Sequence, residues 1–484
     1  MWWQDAVVYQ IYPRSFQDSD GDGVGDLRGI AARLDHLVEL GADALWLSPI
    51  YPSPLADFGY DVTDHTAVDP VYGTLADLDS LAEDAHARGL RLLMDLVPCH
   101  TSIEHPWFRE HPDWYVWAEG RDGEPPNNWV AAFGGSAWTF DPGRGRYYLH
   151  SFYPEQPDLD WGNPEVVEAM QGVIRFWRGR GVDGFRLDAL DRVAKDPELR
   201  DDPAATEAFP FPAPPEAARL APVHSANAAG LGESLGAIRE AAGEDAFLVG
   251  EVYLPTASLA RYLEHLDAVF AFELVFARWE ARALRAAIED ATALAGPREA
   301  AGLAWVLSNH DFARLPNRVG ESNLRAAALV LLTLPGTAFL YQGDEIGQPD
   351  GPGADPPRDR AGRDRHRHPM RWDRGPTGGF TVGRPWLPPL EPPERNVEDQ
   401  RADPGSLLSL CRDLIELRSG LCPGLRMLDA PEGVLAYERG DHGIVVNTTN
   451  RERPAPPAGD PVLETEPGAL RDGVLAPHAA AVCR

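Results

Sequence analysis

Lysine is all but missing from this chain: Lys195 is the only one, and almost every other basic residue is arginine. With alanine and proline abundant, the imbalance reads as base-composition bias without mechanistic content. Positive charge is short altogether. Forty-four lysines and arginines face 75 aspartates and glutamates, a formal net charge of −31. Such a surface repels phosphate backbones and anionic lipids, so no nucleic-acid and no membrane partner is expected, whereas a neutral ligand such as a sugar meets no penalty. Cysteine is scarce, at Cys99, Cys411, Cys422 and Cys483. None forms a CxxC pair, so a zinc or redox motif is not indicated, and four scattered thiols is a simpler reading than two disulfides. No apolar run approaches the ~18 residues of a membrane span. The first residues, MWWQDAVVYQIYPRSF, contain no basic segment leading into an apolar one, so the expected location is the cytoplasm, with a substrate small enough to be imported. No repeat of solenoid length occurs.

What is present is an ordinary globular composition, 44% hydrophobic and 25% charged, over 484 residues. That is enough for a large catalytic barrel with one or two satellites. Short apolar runs recur at Ala6–Ile11, Ala44–Leu47, Leu90–Leu96, Gly184–Leu187, Phe247–Val249, Ala268–Phe272, Leu303–Leu307 and Thr337–Leu340. Each reads as a buried parallel strand, and amphipathic stretches such as Leu27–Leu40 and Leu75–Arg88 lie between most of them. Eight strand–helix units predict an α/β fold, a (β/α)8 TIM barrel built from residues 1–100 and 165–422. The third unit is interrupted by residues 101–164, rich in Trp, Tyr, Pro and Gly and too long for a simple loop. They are expected to form an inserted subdomain over the barrel mouth. Two further long loops, Asp201–Gly230 and Pro349–Arg401, follow strands four and eight and emerge on the same face. After a helix at Leu407–Leu417 the chain turns to short β-like segments, predicting a C-terminal β-sandwich domain over 423–484.

The polar residues just past each strand carry the chemistry. Strand three ends in DLVPCHTS, offering Asp95 and His100; strand four in GFRLDAL, offering Arg186 and Asp188; strand five in VGEVY, offering Glu251; strand seven in SNHD, offering His310 and Asp311. Charge delivered by four strands to one rim is the barrel-enzyme pattern. Several carboxylates around one cavity suit glycoside hydrolysis, which needs an acid on the leaving oxygen and an anion below C1. Asp188 follows Arg186 by two residues, so both point the same way on an extended strand, and the guanidinium favours an ionised nucleophile. Glu251 is the acid/base candidate, its pKa raised by neighbouring carboxylates. Asp311 would grip sugar hydroxyls. A retaining mechanism predicts a carboxyl separation of about 5–5.5 Å. A metal reading of the histidines is weaker, because no HxH follows strand one.

DLVPCHTS, GFRLDALDRV, GEVY and SNHD resemble the four conserved regions of the α-amylase family of glycoside hydrolases. QPDLDW at Gln156–Trp161 resembles a further motif of its oligosaccharide-directed α-glucosidases, the oligo-1,6-glucosidase and α-1,4-glucosidase group. The N-terminal VVYQIYPRSFQDSDGDGVGDLRGI, GADALWLSPIYPSP, GRD…HPMRWD and PWLP also match, so the likeness runs from about Trp3 to Arg418. The resemblance implies Asp188 as nucleophile, Glu251 as acid/base and Asp311 as transition-state stabiliser. It implies that Asp61, His100, Arg186, His310 and Arg363 hold glucose at the cleavage subsite. Tyr60 would stack on the sugar; a structural tyrosine with a bonded hydroxyl is the alternative. Asp95 is expected to be structural. Cys99 stands where many amylases have an asparagine that helps bind an interdomain calcium, and a thiol is a poor ligand for that ion. No such calcium is expected there, nor any organic cofactor.

A different cation site is expected at DSDGDGVGD. Asp18, Asp20, Asp22, the Val24 carbonyl and Asp26, with Gly23 for the sharp turn, mimic the first nine positions of a calcium loop. Gly29 at the twelfth position excludes a sensor-type EF-hand. Similar α-glucosidases carry a structural Ca2+ here; a solvated acidic turn is the alternative.

The expected activity is therefore hydrolysis of the non-reducing terminal bond of a small α-glucoside. Glucosyl transfer or sucrose isomerisation by the same residues is the alternative, differing in how water is excluded. A catalytically dead sugar-binding subunit fits less well, since both acids are kept. Ala189, following the nucleophile, leans toward α-1,4 linkages, because a valine there accompanies α-1,6 activity in similar enzymes. The sequence leaves the oligomeric state open.

Overall fold

The computed structural model describes residues 1–206, 211–295 and 302–484. Eight parallel strands close into a barrel: β1 (Val7–Ile11), β2 (Ala44–Leu47), β3 (Arg91–Leu96), β4 (Gly184–Leu187), β5 (Phe247–Gly250), β6 (Ala268–Phe270), β7 (Leu303–Val306) and β8 (Thr337–Tyr341). Each pairs with its neighbours in sequence, and β8 closes on β1 through Val7 opposite Ala338. The predicted (β/α)8 barrel is the observed fold. Near-continuous apolar runs form these strands because both faces are covered. One face packs inward around Val8, Trp46, Leu93, Val249, Phe270, Val306 and Phe339, while the other packs against the helices. Interiors of this kind lose about 3–5 kcal/mol when an aromatic is cut to alanine.

Local signals set the helices. Thr74 caps Leu75–Ala87 in a reciprocal box with Asp77, and Asn163 caps Pro164–Arg178 with proline at its first position. Two readings are corrected. The Leu27–Leu40 stretch is two helices, Leu27–Ala32 and Leu34–Leu40, divided at Arg33, whose side chain reaches Gln17 and lies 4.3 Å from the Trp372 ring centre. Strand six ends at Phe270, because Phe272 begins a one-turn helix, Phe272–Phe276, at the barrel mouth.

Residues after β3 form a three-stranded antiparallel sheet, with Arg146–Leu149 between Trp117–Ala118 and Trp138–Asp141. It is tied to the β3 end by the Leu159 amide donating to the Cys99 carbonyl at 2.9 Å. Of the Asp201–Gly230 loop, residues 207–210 lie outside the described residues. What precedes them holds the inserted sheet, since Trp129 Nε1 donates to the Arg200 carbonyl and the Asn128 amide to Asp201. Beyond Leu407–Arg418 the chain builds a five-stranded antiparallel sheet and a second, three-stranded one. The four cysteines are free thiols. No helix among the described residues is long and apolar enough to cross a membrane.

Candidate active site

The barrel ladder continues one residue past β4 and β5. The Asp188 amide donates to the Leu96 carbonyl, and the Glu251 amide donates to the Leu187 carbonyl, both at 2.9 Å. These two bonds place an aspartate and a glutamate side by side on the C-terminal rim. Gly184 permits the approach of β4 to β5: a Cβ there would meet the Phe247 carbonyl oxygen at 2.1 Å. Ala189, next to Asp188, sits at φ +46°, a left-handed conformation that costs a non-glycine residue about 1 kcal/mol or more. Its amide points at Glu251 Oε2, 3.3 Å away.

One guanidinium organises the acids. Arg186, on β4 and 1% exposed, donates to Asp95 Oδ1 at 2.8 Å, to Asp188 Oδ1 at 2.5 Å, and through its other terminal nitrogen to Glu251 Oε1. Tyr253 donates its hydroxyl to the same Glu251 oxygen at 3.0 Å. Burial raises the pKa of all three carboxyls against the pull of Arg186, Asp95 to about 7 and Asp188 well above its ordinary value. Arg186 favours ionised Asp188, as the spacing predicts, but three carboxylates share this one cation, so desolvation and repulsion from Glu251 and Asp95 raise Asp188 overall.

Asp311 is the opposite case. Asn309 makes the turn after β7, its side-chain oxygen accepting from the Asp311 and Phe312 amides at 2.9 and 3.0 Å. Burial raises the Asp311 carboxyl, but His310 in its protonated form and the Arg363 and Arg367 guanidiniums overcome that and hold it far below the usual range. Arg363 and Arg367 reach it at 3.1 and 2.9 Å. His310 is fully buried, and burial lowers its pKa to about 3, so the ring is neutral. Its Nδ1 meets Gln10 Nε2 at 2.8 Å and its Nε2 meets the Tyr60 hydroxyl at 2.6 Å; Tyr60 in turn donates to Asp95 Oδ2 at 3.1 Å. The chain is satisfied when Nε2 carries the proton, an assignment from the network.

A cavity of about 400 Å³ opens above these groups. Asp188, Glu251, Asp311, Tyr60, His100 and Arg363 line it. Arg186 and His310, expected at the sugar, stand behind the lining and position residues that are in it. Tyr60 lines the cavity, and its hydroxyl is bonded as the structural reading expects. His100 is neutral, burial lowering its pKa to about 4, and its Nδ1 has no partner among the described residues.

Asp61 is a correction. It is fully buried and accepts from the Ser53 hydroxyl and the Ala56 and Asp57 amides at 2.7–3.0 Å, so it shapes the loop and does not line the cavity. Asp57, four residues earlier, lines it instead, held by Arg363 at 2.5 Å and Gln156 at 3.0 Å. Both aspartates lie in LADFGYD, and only the curl of that loop separates their roles. Arg367 was also unforeseen, although its four-residue spacing from Arg363 in GRDRHRH could have found it.

Lys195 is the larger omission. Its ammonium is buried against Asp158 at 2.8 Å and lies 3.7 Å from Cys99 Sγ. Asp158, in the QPDLDW segment, also accepts from the Ser151 amide and hydroxyl at 2.8 and 2.5 Å. A resident cation thus joins the inserted sheet to the segment after β4, at the position of the unusual cysteine. The composition reading of this lysine is corrected.

In the acidic loop, carboxylate oxygens of Asp18, Asp20 and Asp22 lie within 4.8 Å of one another. Gly23, at φ +94°, is required, since a Cβ would strike the Arg384 carbonyl. Burial raises the Asp18 carboxyl, and bonds from Thr381 and the Gly21, Gly23 and Asp20 amides overcome that and lower it. Asp26 is not in this group: its carboxylate accepts from Ser19 and caps the Leu27–Ala32 helix through the Gly29 amide at 2.8 Å.

Residues 10–421 match the family described as alpha amylase, catalytic domain. The chain is 41% identical over 456 residues to a "Probable alpha-glucosidase" of Rhizobium meliloti (strain 1021), covering 86% of this chain and 82% of that one. It is 37% identical over 480 residues to an oligo-1,6-glucosidase of Parageobacillus thermoglucosidasius, covering 86% and 84%. Among solved structures, the alpha-glucosyl transfer enzyme XgtA superposes with a TM-score of 0.91 at 38% identity, covering 100% of this chain and 99% of that one.

Proposed function

This chain belongs to the α-amylase family, and we propose that it works as a retaining α-glucosidase on the non-reducing terminal bond of short α-glucosides. The observation that carries the reading is the pair Asp188 and Glu251, on adjacent strands, joined by one guanidinium and opening into one cavity. Three carboxylates share a single buried cation, so burial and mutual repulsion favour a proton held within the group, which Glu251 needs as an acid catalyst while Arg186 favours the ionised form of Asp188. Asp188 attacks C1 as Glu251 gives its proton to the departing oxygen. The resulting glucosyl ester is opened by water, which returns a proton to Glu251. Asp311, kept ionised by Arg363 and Arg367, stabilises the positive charge that builds at the ring. His100 and Asp57 grip hydroxyls of the bound glucose, and Tyr60 covers its apolar face.

Transfer of the glucosyl unit to another alcohol uses the same intermediate, and the likeness to a glucosyl transfer enzyme favours it as the second reading. The small Ala189 side chain in the cavity wall supports a lean toward α-1,4 bonds; one methyl-scale change shifts discrimination by only about 1–3 kcal/mol. The acidic loop fits a structural Ca2+, with Asp18, Asp20, Asp22 and the Val24 carbonyl as ligands. Asp26 supports the loop from outside. The formal net charge of −31 supports an enzyme without nucleic-acid or anionic-membrane partners.

Product profiling on maltose, isomaltose, sucrose and trehalose tests the assignment, with the first anomer read by proton NMR. Hydrolysis releasing α-glucose first is expected; β-glucose first would exclude the double-displacement route.

A further inference from the structure

The PWLP segment takes no part in the mechanism above, yet one of its side chains reaches the loop that carries Asp57 and Tyr60. Trp386 and Phe58, 6% and 8% exposed, belong to a small apolar cluster apart from the main barrel core. Their ring centroids lie 5.8 Å apart, with planes 31° from parallel. Neither ring lines the cavity, but Phe58 stands in the chain between two residues that do, Asp57 and Tyr60. Phe58 has φ +50°, and Gly59 after it has φ +117°. A phenylalanine in the left-handed region keeps that conformation only where its surroundings impose it. Here they are the Trp386 indole, the Arg14 guanidinium 5.4 Å from the Phe58 ring centre and the Arg367 guanidinium at 5.8 Å.

Trp386 is itself firmly fastened. Its amide donates to the Gly23 carbonyl and its Nε1 to the Ser15 hydroxyl, both at 2.9 Å, and Arg14 lies 5.6 Å from its ring centre. The residues before it are tied to the acidic loop: the Thr381 hydroxyl donates to Asp18, and the Asp18 amide donates to the Phe380 carbonyl at 2.9 Å. Ser15 passes its own hydroxyl proton to the Arg367 carbonyl, and the Arg367 guanidinium holds Asp311 at 2.9 Å. One indole thus contacts two supports of the site, Phe58 beside Asp57 and Ser15 beneath the backbone of Arg367.

We propose that Trp386 is a positioning residue of the glucose subsite: its indole wedges Phe58 and so fixes where Asp57 and Tyr60 meet the sugar. This rests on the α-glucosidase reading above. Leucine at this position would fill part of the volume but present no flat face to Phe58. The loop would then leave its imposed conformation part of the time, and Asp57 would lose its fixed place against the sugar hydroxyls. A displacement of about 1 Å from a change remote from the chemistry costs up to about a hundred-fold. The loss falls on affinity for the glucose ring, because Asp188 and Glu251 are placed by the barrel ladder and not by this loop.

Calorimetric titration of the full chain with deoxynojirimycin, a glucose-shaped amine, tests this well below the melting temperature of each variant. Trp386→Leu should raise Kd at least about ten-fold. Trp386→Phe keeps a ring against Phe58 and should bind nearly as the parent does. Phe58→Ala should weaken binding to the same degree as Trp386→Leu. The double variant should lose no more than about three-fold beyond the weaker single, because one contact is removed twice. If Trp386→Leu does not fold, Phe58→Ala decides alone. A lowered melting temperature with unchanged Kd in these variants would mark a merely structural tryptophan and overturn the inference, as would losses that multiply in the double variant or a Trp386→Phe as weak as Trp386→Leu. Each of those results leaves the α-glucosidase reading standing. A parent that neither binds deoxynojirimycin nor hydrolyses any α-glucoside would overturn both.

Discussion

Replacing Lys195 with methionine removes the partner of a carboxylate that has no exposure at all. Asp158 is 0% exposed and would keep only its two bonds from Ser151. Breaking one side of a buried pair typically costs about 3–5 kcal/mol, a large part of the 5–15 kcal/mol that holds a typical domain together. The pH dependence gives a sharper check. Burial raises the Asp158 carboxyl from 3.8, but Lys195 and Ser151 outweigh it, so the folded value is depressed. A depressed carboxylate contributes stability that is present above 3.8 and lost as pH falls through its folded value. Without the ammonium, burial dominates and the folded value rises, so stability is instead lost as pH increases. The gap between the parent and Lys195→Met should therefore already be present near pH 4.5 and widen further towards pH 8. Urea unfolding at both values measures it. Pairing the change with Asp158→Asn should recover a good part of the loss, because the orphaned charge goes too. A single variant within about 1 kcal/mol of the parent at pH 8, or a gap that shrinks as pH rises, would refute the reasoning.

Four further outcomes follow from the site. Asp188→Asn should cut kcat by roughly 10⁴-fold or more with an unchanged circular-dichroism spectrum; normal turnover would remove the mechanism. Tyr253→Phe takes a donor from the ionised form of Glu251, so its pKa rises and the basic limb of the kcat/KM profile should move to higher pH. Asp57→Asn should lower kcat/KM by about 10–100-fold through a lost charge-assisted bond, whereas Asp61→Asn should lower the melting temperature with kcat/KM within a few-fold. Dialysis against a chelator should lower the melting temperature reversibly on re-addition of Ca2+, by the equivalent of about 2–3 kcal/mol at a hundred-fold excess over Kd; metal analysis finding none bound before dialysis would end the calcium proposal.

Much of this was legible along the chain. The eight strands are three to six mostly apolar residues long, and burial on both faces of a parallel sheet demands that pattern locally, so their positions matched within a few residues. The helix break at Arg33 was not legible, because its partners Gln17 and Trp372 lie sixteen and more than three hundred residues away. The rim acids were legible because a strand's last residue must point to the mouth. In LADFGYD no period applies, so choosing between Asp57 and Asp61 required knowing where Arg363 would stand.

By itself the sequence determined the barrel, the acids on its rim and the acidic loop, because strand periodicity, caps and turn residues act over a few neighbours. Only the tertiary structure decided how charge is shared. Arg186 serves three carboxylates from three strands, Asp311 is held by two arginines from a loop over fifty residues later, and the single lysine neutralises an aspartate of the inserted segment. Burial and ion pairing are properties of the space around a group, and that space is assembled from parts of the chain that do not know of one another until it folds.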